Sequence, residues 1–294
     1  MIDLACVASF LAVAETGGFR AAAQRVGLSQ PAVTQHIRKL ERWLRAELID
    51  RGNAGSVLTP QGRAFLPYAE ILVRTSERAQ AMFEKKNIVV GASSNIGIYL
   101  LPKHLKACSE ALGLELDIVI GANPDIADRL QNLAIDVAFT EWWDERPGFV
   151  AQCWKQERLV VIVPPGHPWA DRESIPAALL QNATLLGGEA GTGTGRLLRQ
   201  CLGERAAGLR TGMQLGSTEA VKRAVEAGLG ISIVMASAVA DEQSHGRLRA
   251  IPLADAPLEK SLYITWRDHP LHENPAARFA RCLLDSGAGR RVRQ

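Results

Sequence analysis

Apolar side chains recur at helical spacing from the start of the chain. Leu4, Val7, Phe10, Leu11 and Ala14 share one face of residues 3–15, and Gly17-Gly18 ends that segment. A short helix is predicted over 19–26, where Ala21, Ala22 and Ala23 permit close approach of a neighbour, and Gly27-Leu28 makes a tight turn. Ser29 is placed to cap the next helix, with Pro31 in its first turn. Val33, Ile37, Leu40 and Leu44 then recur at steps of four, three and four and face a core, while Gln30, Thr34, Gln35, Arg38 and Arg42 face outward. Two short strands are predicted at 47–50 and 56–58, around a tip at 51–55 that holds two glycines and an Asn. Thr59 caps and Pro60 opens a helix running to about Glu84, roughly 37 Å at 1.5 Å per residue. Along it Phe65, Ala69, Leu72, Ser76, Ala79 and Phe83 alternate steps of four and three. Such a seam suits pairing with a second copy, and it equally suits packing on the helix's own domain.

From Asn87 onward the period changes. Short apolar runs at 88–93, 116–121 and 136–140 alternate with helical patterns at 96–109 and 124–132, a βαβ rhythm that implies a parallel sheet. A further strand at 158–163 ends at Pro164-Pro165, and strands near 184–186, 210–215 and 230–234 build a second lobe. Residues 262–266 return toward the first lobe, and a terminal helix covers 275–284. The predicted fold is α/β: a winged helix-turn-helix over 1–59, a linker and dimerisation helix over 60–86, and a two-lobe effector-binding domain over 87–294. Its first lobe takes about 87–163 and 265–294, its second about 164–264. Two α/β lobes crossed twice by the chain make a hinged clamp that binds ligands at strand C-termini.

Composition sharpens this. With 294 residues, 47% hydrophobic and 22% charged, the chain suits two or three globular domains. The net charge is +3, and residues 1–87 hold 12 Lys+Arg against 8 Asp+Glu while the rest hold 22 against 23. The basic excess therefore lies in the first third, where a nucleic-acid partner would want it. No leader and no apolar run of membrane-spanning length is readable, so a cytoplasmic protein without a membrane partner is expected. Cys6, Cys108, Cys153, Cys201 and Cys282 lie far apart with no CxxC, and no HExxH occurs. Reduced thiols and no metal or cofactor are expected.

The outward face of the third helix has the chemistry of a major-groove reader. Gln pairs bidentately with adenine, Arg with guanine, and Thr meets hydroxyl or methyl groups at base edges. A short helix, a Gly turn and an amide-rich second helix describe a helix-turn-helix, although a three-helix bundle with a solvated face would show the same periods. Arg51, in the wing, is a natural phosphate contact.

Residues 21–59 resemble the signature of the LysR-type transcriptional regulators. The matching elements are the Ala pair before the turn, Ser29-Gln30-Pro31-Ala32-Val33, Ile37, Leu40-Glu41, Leu44, Leu48, Arg51 and Leu58-Thr59 with Gly62. Gly18 stands where the family usually has a capping Ser, Thr34 replaces a usual Ser, Arg45 a usual Gly and Ile49 a usual Phe. Further on, Gly91-Ala92-Ser93-Ser94-Asn95-Ile96-Gly97 followed by Tyr99-Leu100-Leu101-Pro102 resembles the family's effector-domain opening. Residues 189–194 and 228–231 are also similar to family stretches. The resemblance implies double-stranded promoter DNA, a small-molecule effector and a second copy of the chain as partners. It also implies antiparallel dimers joined into a tetramer, with RNA polymerase as a candidate contact and activation as the commoner mode.

Ser29, Gln30, Pro31, Thr34, Gln35, Arg38 and Arg51 are thus the candidate DNA-binding residues. Three loops should line the cleft: Ser93, Ser94 and Asn95 after the first strand, Thr140 and Glu141 after the third, and Thr192 and Thr194 in a Gly-rich turn that opens a helix. Hydroxyls and helix N-terminal N–H groups suit a polar or anionic metabolite, while plain helix capping by Ser and Thr is the competing role. Trp142 and Trp143 could stack on a ring or pack the loop. An enzyme would need a nucleophile with its base or paired carboxylates. No GxSxG is present, and Glu141 is the one carboxylate on these loops. No catalytic residue is assigned. A solute-binding protein would share the clamp but not the helix-turn-helix, and a regulator acting by DNA binding alone would share everything except the ligand.

Overall fold

A computed structural model describes residues 2–52, 55–84, 87–188, 193–203, 208–256, 258–268 and 274–288, without the side chains of 51, 52, 55, 78, 81–84, 211 and 286–288. The chain forms two compact units, Met1–Lys85 and Lys86–Gln294.

In the first unit α1 (Leu4–Thr16) starts where the Asp3 carboxylate accepts the Ala5 N–H and stops at Gly17 in left-handed conformation. Next, α2 (Phe19–Val26) begins at Gly18 with no side-chain cap and ends at left-handed Gly27. The Ser29 hydroxyl accepts the Ala32 N–H and caps α3 (Gln30–Leu44). Val7, Phe10, Val13, Ala22, Val33, Ile37 and Leu40 fill the core between them. The wing is an antiparallel hairpin of β1 (Ile49–Gly52) and β2 (Gly55–Leu58). It is tied to the α1–α2 turn where the Ser56 N–H donates to the Gly17 carbonyl at 3.2 Å.

Thr59 caps α4 (Pro60–Glu84) by accepting the Gly62 N–H at 2.9 Å. A Cβ on Gly62 would lie 2.1 Å from the Leu48 carbonyl oxygen, so only glycine allows this close approach of α4 to the wing's entry. The helix seam is used within the unit over its first half: Ala69 is buried, and Phe65 and Leu72 pack on the same core as Phe10.

In the second unit a seven-stranded sheet runs β10-β6-β11-β5-β3-β4, with β9 also paired to β6. Its strands are β3 (Asn87–Ser93), β4 (Glu115–Gly121), β5 (Val137–Thr140), β6 (Phe149–Val163), β9 (Ser232–Met235), β10 (Arg249–Ile251) and β11 (Glu259–Arg267). β3 pairs in parallel with both β4 and β5, and helices α5 (Pro102–Leu112) and α6 (Asn123–Gln131) make the crossovers. A second, parallel pair, β7 (Thr184–Gly187) with β8 (Arg210–Gln214), lies with α7 (Thr194–Leu202), α8 (Thr218–Glu226) and α9 (Ala240–Ser244) in the second lobe. Helix α10 (Pro275–Ala288) closes the chain's return to the first.

Three expectations change. The helix predicted over 96–109 is a π-helical turn, Ile96–Leu100, followed by α5, because Pro102 supplies no N–H to carry the hydrogen-bond ladder on. The strand predicted at 158–163 is 15 residues long. Its first part pairs with β11 and its last part with β9 and β10, so the chain crosses between lobes near 158 and returns near 259 rather than 163 and 265. The five reduced thiols are not what the structure holds: Cys108 on α5 and Cys282 on α10 are joined in a disulfide. Their sequence separation of 174 residues hides a contact that only the packing of α10 on α5 creates.

Two measurements follow. Arg45 ends α3 at φ 54, left-handed without being glycine, a conformation that costs a side-chain-bearing residue about 1–2 kcal/mol. Arg45→Gly is expected to recover roughly 0.5–1 kcal/mol once glycine's larger unfolded-state entropy is deducted, seen as a higher urea midpoint; an unchanged midpoint would show that the exposed arginine bears no strain there. Thiol titration of denatured, unreduced protein should find Cys6, Cys153 and Cys201 only. Cys282→Ser should lower stability by about 2–4 kcal/mol.

Candidate nucleic-acid interface and effector cleft

Gln30, Pro31, Thr34, Gln35 and Arg38 line one concavity of about 630 Å³ on α3. Gln30, Pro31, Gln35 and Arg38 are exposed and Thr34 is half-buried, opposite the buried Val33, Ile37 and Leu40. Helical geometry explains it: positions one, four, five and eight along from Gln30 fall on one stripe. Ser29 is exposed and serves as the cap. Arg51 lies in β1 opposite Ser56, with its side chain outside the described residues. Glu41, which sequence reading left unexplained, accepts the N–H groups of Leu48 and Ile49 at 2.9 and 3.3 Å. It thereby fixes the start of the wing to α3.

In the second unit Ser93 and Thr140 end the adjacent parallel strands β3 and β5. Both are buried, and their hydroxyls have no hydrogen-bond partner among the described residues. An unmet buried hydroxyl is costly enough to need an explanation. Ser94 instead donates to the Gly121 carbonyl at 3.2 Å and joins the ends of β3 and β4. Thr192 lies outside the described residues.

Asn95, Glu141 and Thr194 are brought together, with two residues that the sequence did not reveal. The Glu141 carboxylate accepts from Asn95 Nδ2 at 2.9 Å and from Lys260 Nζ at 2.7 Å. Lys260 also donates to Thr194 Oγ1 at 3.0 Å, and Thr218 donates to Asn95 Oδ1 at 2.7 Å. Asn95 and Glu141 belong to the first lobe, Thr194 and Thr218 open α7 and α8 in the second, and Lys260 stands on β11. The ion pair is deeply buried, with side-chain exposures of 5% and 1%.

A second tie lies nearby. Lys222 is buried between Glu219 at 2.6 Å and Glu242 at 3.0 Å, with its ammonium 4.9 Å from the Tyr99 ring centroid. Tyr99 donates its hydroxyl to Glu219 at 2.6 Å. Burial first, and then that bond, push the Tyr99 phenol far above its ordinary range. Burial alone would raise the Glu219 carboxyl, yet hydrogen bonds from Lys222 and Tyr99 outweigh it and hold the group below its ordinary value.

Between the lobes lies a cavity of about 530 Å³, lined among others by Asn95, Trp142, Thr194, Arg196, Arg199 and Thr218. Trp142 packs closely on Gly193, where a Cβ would stand 2.9 Å from the indole. Trp143 packs edge-on against Phe149 and beneath Arg146, away from the lining. Ser93, Thr140 and Glu141 do not line the cavity; Glu141 lies one hydrogen bond behind its wall. Lys260 was detectable in principle. It shares the inward register of β11 with Leu262, Ile264 and Trp266, and a lysine in that register calls for a buried partner. Among the described residues no cluster could hold a metal ion, and no helix is long and apolar enough to cross a membrane.

Family comparison agrees with this division. The bacterial regulatory helix-turn-helix protein, lysR family, matches residues 5–63, and the LysR substrate binding domain matches 84–288. The HTH-type protein PtxE of Stutzerimonas stutzeri is 39% identical over 197 residues, covering 66% of this chain and 100% of PtxE. Full-length CbnR in complex with its target DNA is similar in fold, with TM-score 0.71, 22% identity and coverage of 97% of this chain and 99% of that one. So is the CcmR regulatory domain of Synechocystis PCC6803 in complex with 2-PG, with TM-score 0.61, 24% identity and coverage of 69% and 98%.

Proposed function

The chain belongs to the LysR family of DNA-binding transcriptional regulators, and on that premise we propose that α3 reads base edges while a small polar or anionic metabolite binds between the lobes of the second unit. The observation that carries the first part is the single outward stripe of Gln30, Thr34, Gln35 and Arg38 on a capped helix. Ser29 and Pro31 set the helix start, and Arg51 takes a phosphate. Phosphate contacts position the protein, and base contacts specify the sequence. The bound DNA of CbnR and the 2-PG of CcmR support the two partner classes by analogy of fold.

The working form is a homodimer, and two dimers make a tetramer. Since Phe65, Ala69 and Leu72 are engaged within the unit, the later part of α4, with Ser76 and Ala79, is the stretch left for a second copy. The protein acts on promoter DNA in the cytoplasm and contacts RNA polymerase there.

Gln35→Ala should weaken binding to the cognate operator by about 1–3 kcal/mol, roughly 5- to 150-fold, while leaving binding to random duplex nearly unchanged. Arg51→Ala should weaken both alike and reduce the salt dependence. A gel-shift series in which Gln35→Ala keeps full discrimination and Arg51→Ala abolishes it would overturn this assignment. For the cleft, a metabolite that raises the melting temperature of the wild type should lose most of that effect in Asn95→Ala and in Thr194→Val, two changes to the cavity lining, the latter removing one hydroxyl at nearly constant volume. Stabilisation that survives both would put the effector elsewhere.

A further inference from the structure

The cavity wall is electrically one-sided. Its described lining residues include Arg196 and Arg199 and no Asp or Glu, and the first turns of α7 and α8 supply Thr194 and Thr218 to it. Both helices are nine residues long and end their N–H ladders here, which adds positive potential. Directly behind Thr194 lies the Lys260 ammonium, 3.0 Å from its hydroxyl oxygen. Among the described residues, the acidic group that meets Lys260 is Glu141, and it comes from the protein itself. Glu157, opposite Lys260 in the strand register, is engaged instead by the Ser237 N–H and by Lys155.

Resting on the reading of this cleft as the effector site, we propose that Glu141 is an internal stand-in for the effector's anionic group, and that Lys260 is the charge the effector takes over. Three features support this. Both Glu141 oxygens are occupied, by donors from two different segments. The network around it joins the two lobes through Asn95 to Thr218 and Lys260 to Thr194, the contacts a bridging ligand would be expected to make. Finally, the Lys260 ammonium already donates to Glu141 and Thr194, so an incoming carboxylate or phosphate that takes this charge competes with Glu141 for it. The ligand class is therefore a small anion, and its affinity is set by competition with Glu141.

The test uses the full-length protein and inorganic phosphate, titrated calorimetrically against wild type, Glu141→Gln, and Glu141→Gln with Lys260→Met. Removing the internal anion should raise phosphate affinity at least about tenfold, and the double variant should lose that gain. The double variant carries neither charge of the pair, so it avoids the stranded carboxylate that Lys260→Met alone would leave; its melting curve reports whether it is folded. Putrescine, as a cationic control, should stabilise none of the three. Equal phosphate affinities in wild type and Glu141→Gln, no phosphate binding by either, or a gain that persists without Lys260 would each overturn the inference. A metabolite lost in Thr194→Val but bound equally by wild type and Glu141→Gln would overturn it while leaving the cleft reading intact. A phosphate gain without any Asn95- or Thr194-dependent metabolite would do the reverse.

Discussion

Two lysines, Lys222 and Lys260, carry their ammonium groups into the interior of the second unit, and the cost of taking them out of water dictates what surrounds them. Removing one partner of such a pair typically destabilises a protein by about 3–5 kcal/mol, because the other charge is stranded. Lys260 accordingly fixes Glu141 at the end of β5 and Thr194 at the start of α7. Lys222 fixes Glu219 and Glu242 and lies over Tyr99. Each lysine thereby joins residues of both lobes. A pair of well-packed apolar side chains would be as stable or more so, so charges kept at this seam are better explained by a need for specific, breakable geometry.

The first unit is governed by a steric constraint in place of an electrostatic one. Helix α4 passes so near the Leu48 carbonyl that Gly62 can carry no side chain. Glu41 meets the neighbouring Leu48 and Ile49 N–H groups from the other side. The wing is thus clamped between α3 and α4. This gives a physical reason for the Leu40-Glu41, Leu48 and Leu58-Thr59-Gly62 pattern: most of it holds the wing in place. The outward stripe of Gln30, Thr34, Gln35 and Arg38 on α3 takes no part in that clamp.

Local order was legible where periodicity and capping agree. Asp3 was not anticipated as a cap, but Ser29 and Thr59 were, and both hydroxyls accept the N–H groups their helices leave open. The apolar steps of α3 placed Val33, Ile37 and Leu40 inside without ambiguity. What was not legible depends on contacts far apart in the chain. Asn95 meets Thr218 over 123 residues and Glu141 meets Lys260 over 119, while Cys108 and Cys282 are 174 apart. No period or spacing encodes such meetings. The α4 seam shows the complementary failure: an alternation of four and three marks an apolar face, and whether a second chain or the same chain covers it is decided by tertiary packing.

The lobes are not independent bodies joined by a free hinge. A single cluster of buried side chains runs from Ile88, Val137 and Phe139 through Trp154 and Leu159 to Leu185, Ile231 and Leu253, so wide separation would expose apolar core that now lies out of water. At about 25 cal/mol per Å² of apolar surface, even a few hundred Å² would cost several kcal/mol. A ligand changes an equilibrium only by its difference in affinity for the two arrangements, and shifting a population from 1:99 to 99:1 takes about 5.5 kcal/mol. Full opening would consume most of that. The motion that a small molecule can drive here is therefore a short one, confined to the polar ties at the cleft. Exchange of partners around Asn95, Glu141 and Lys260 alters those ties without uncovering the core.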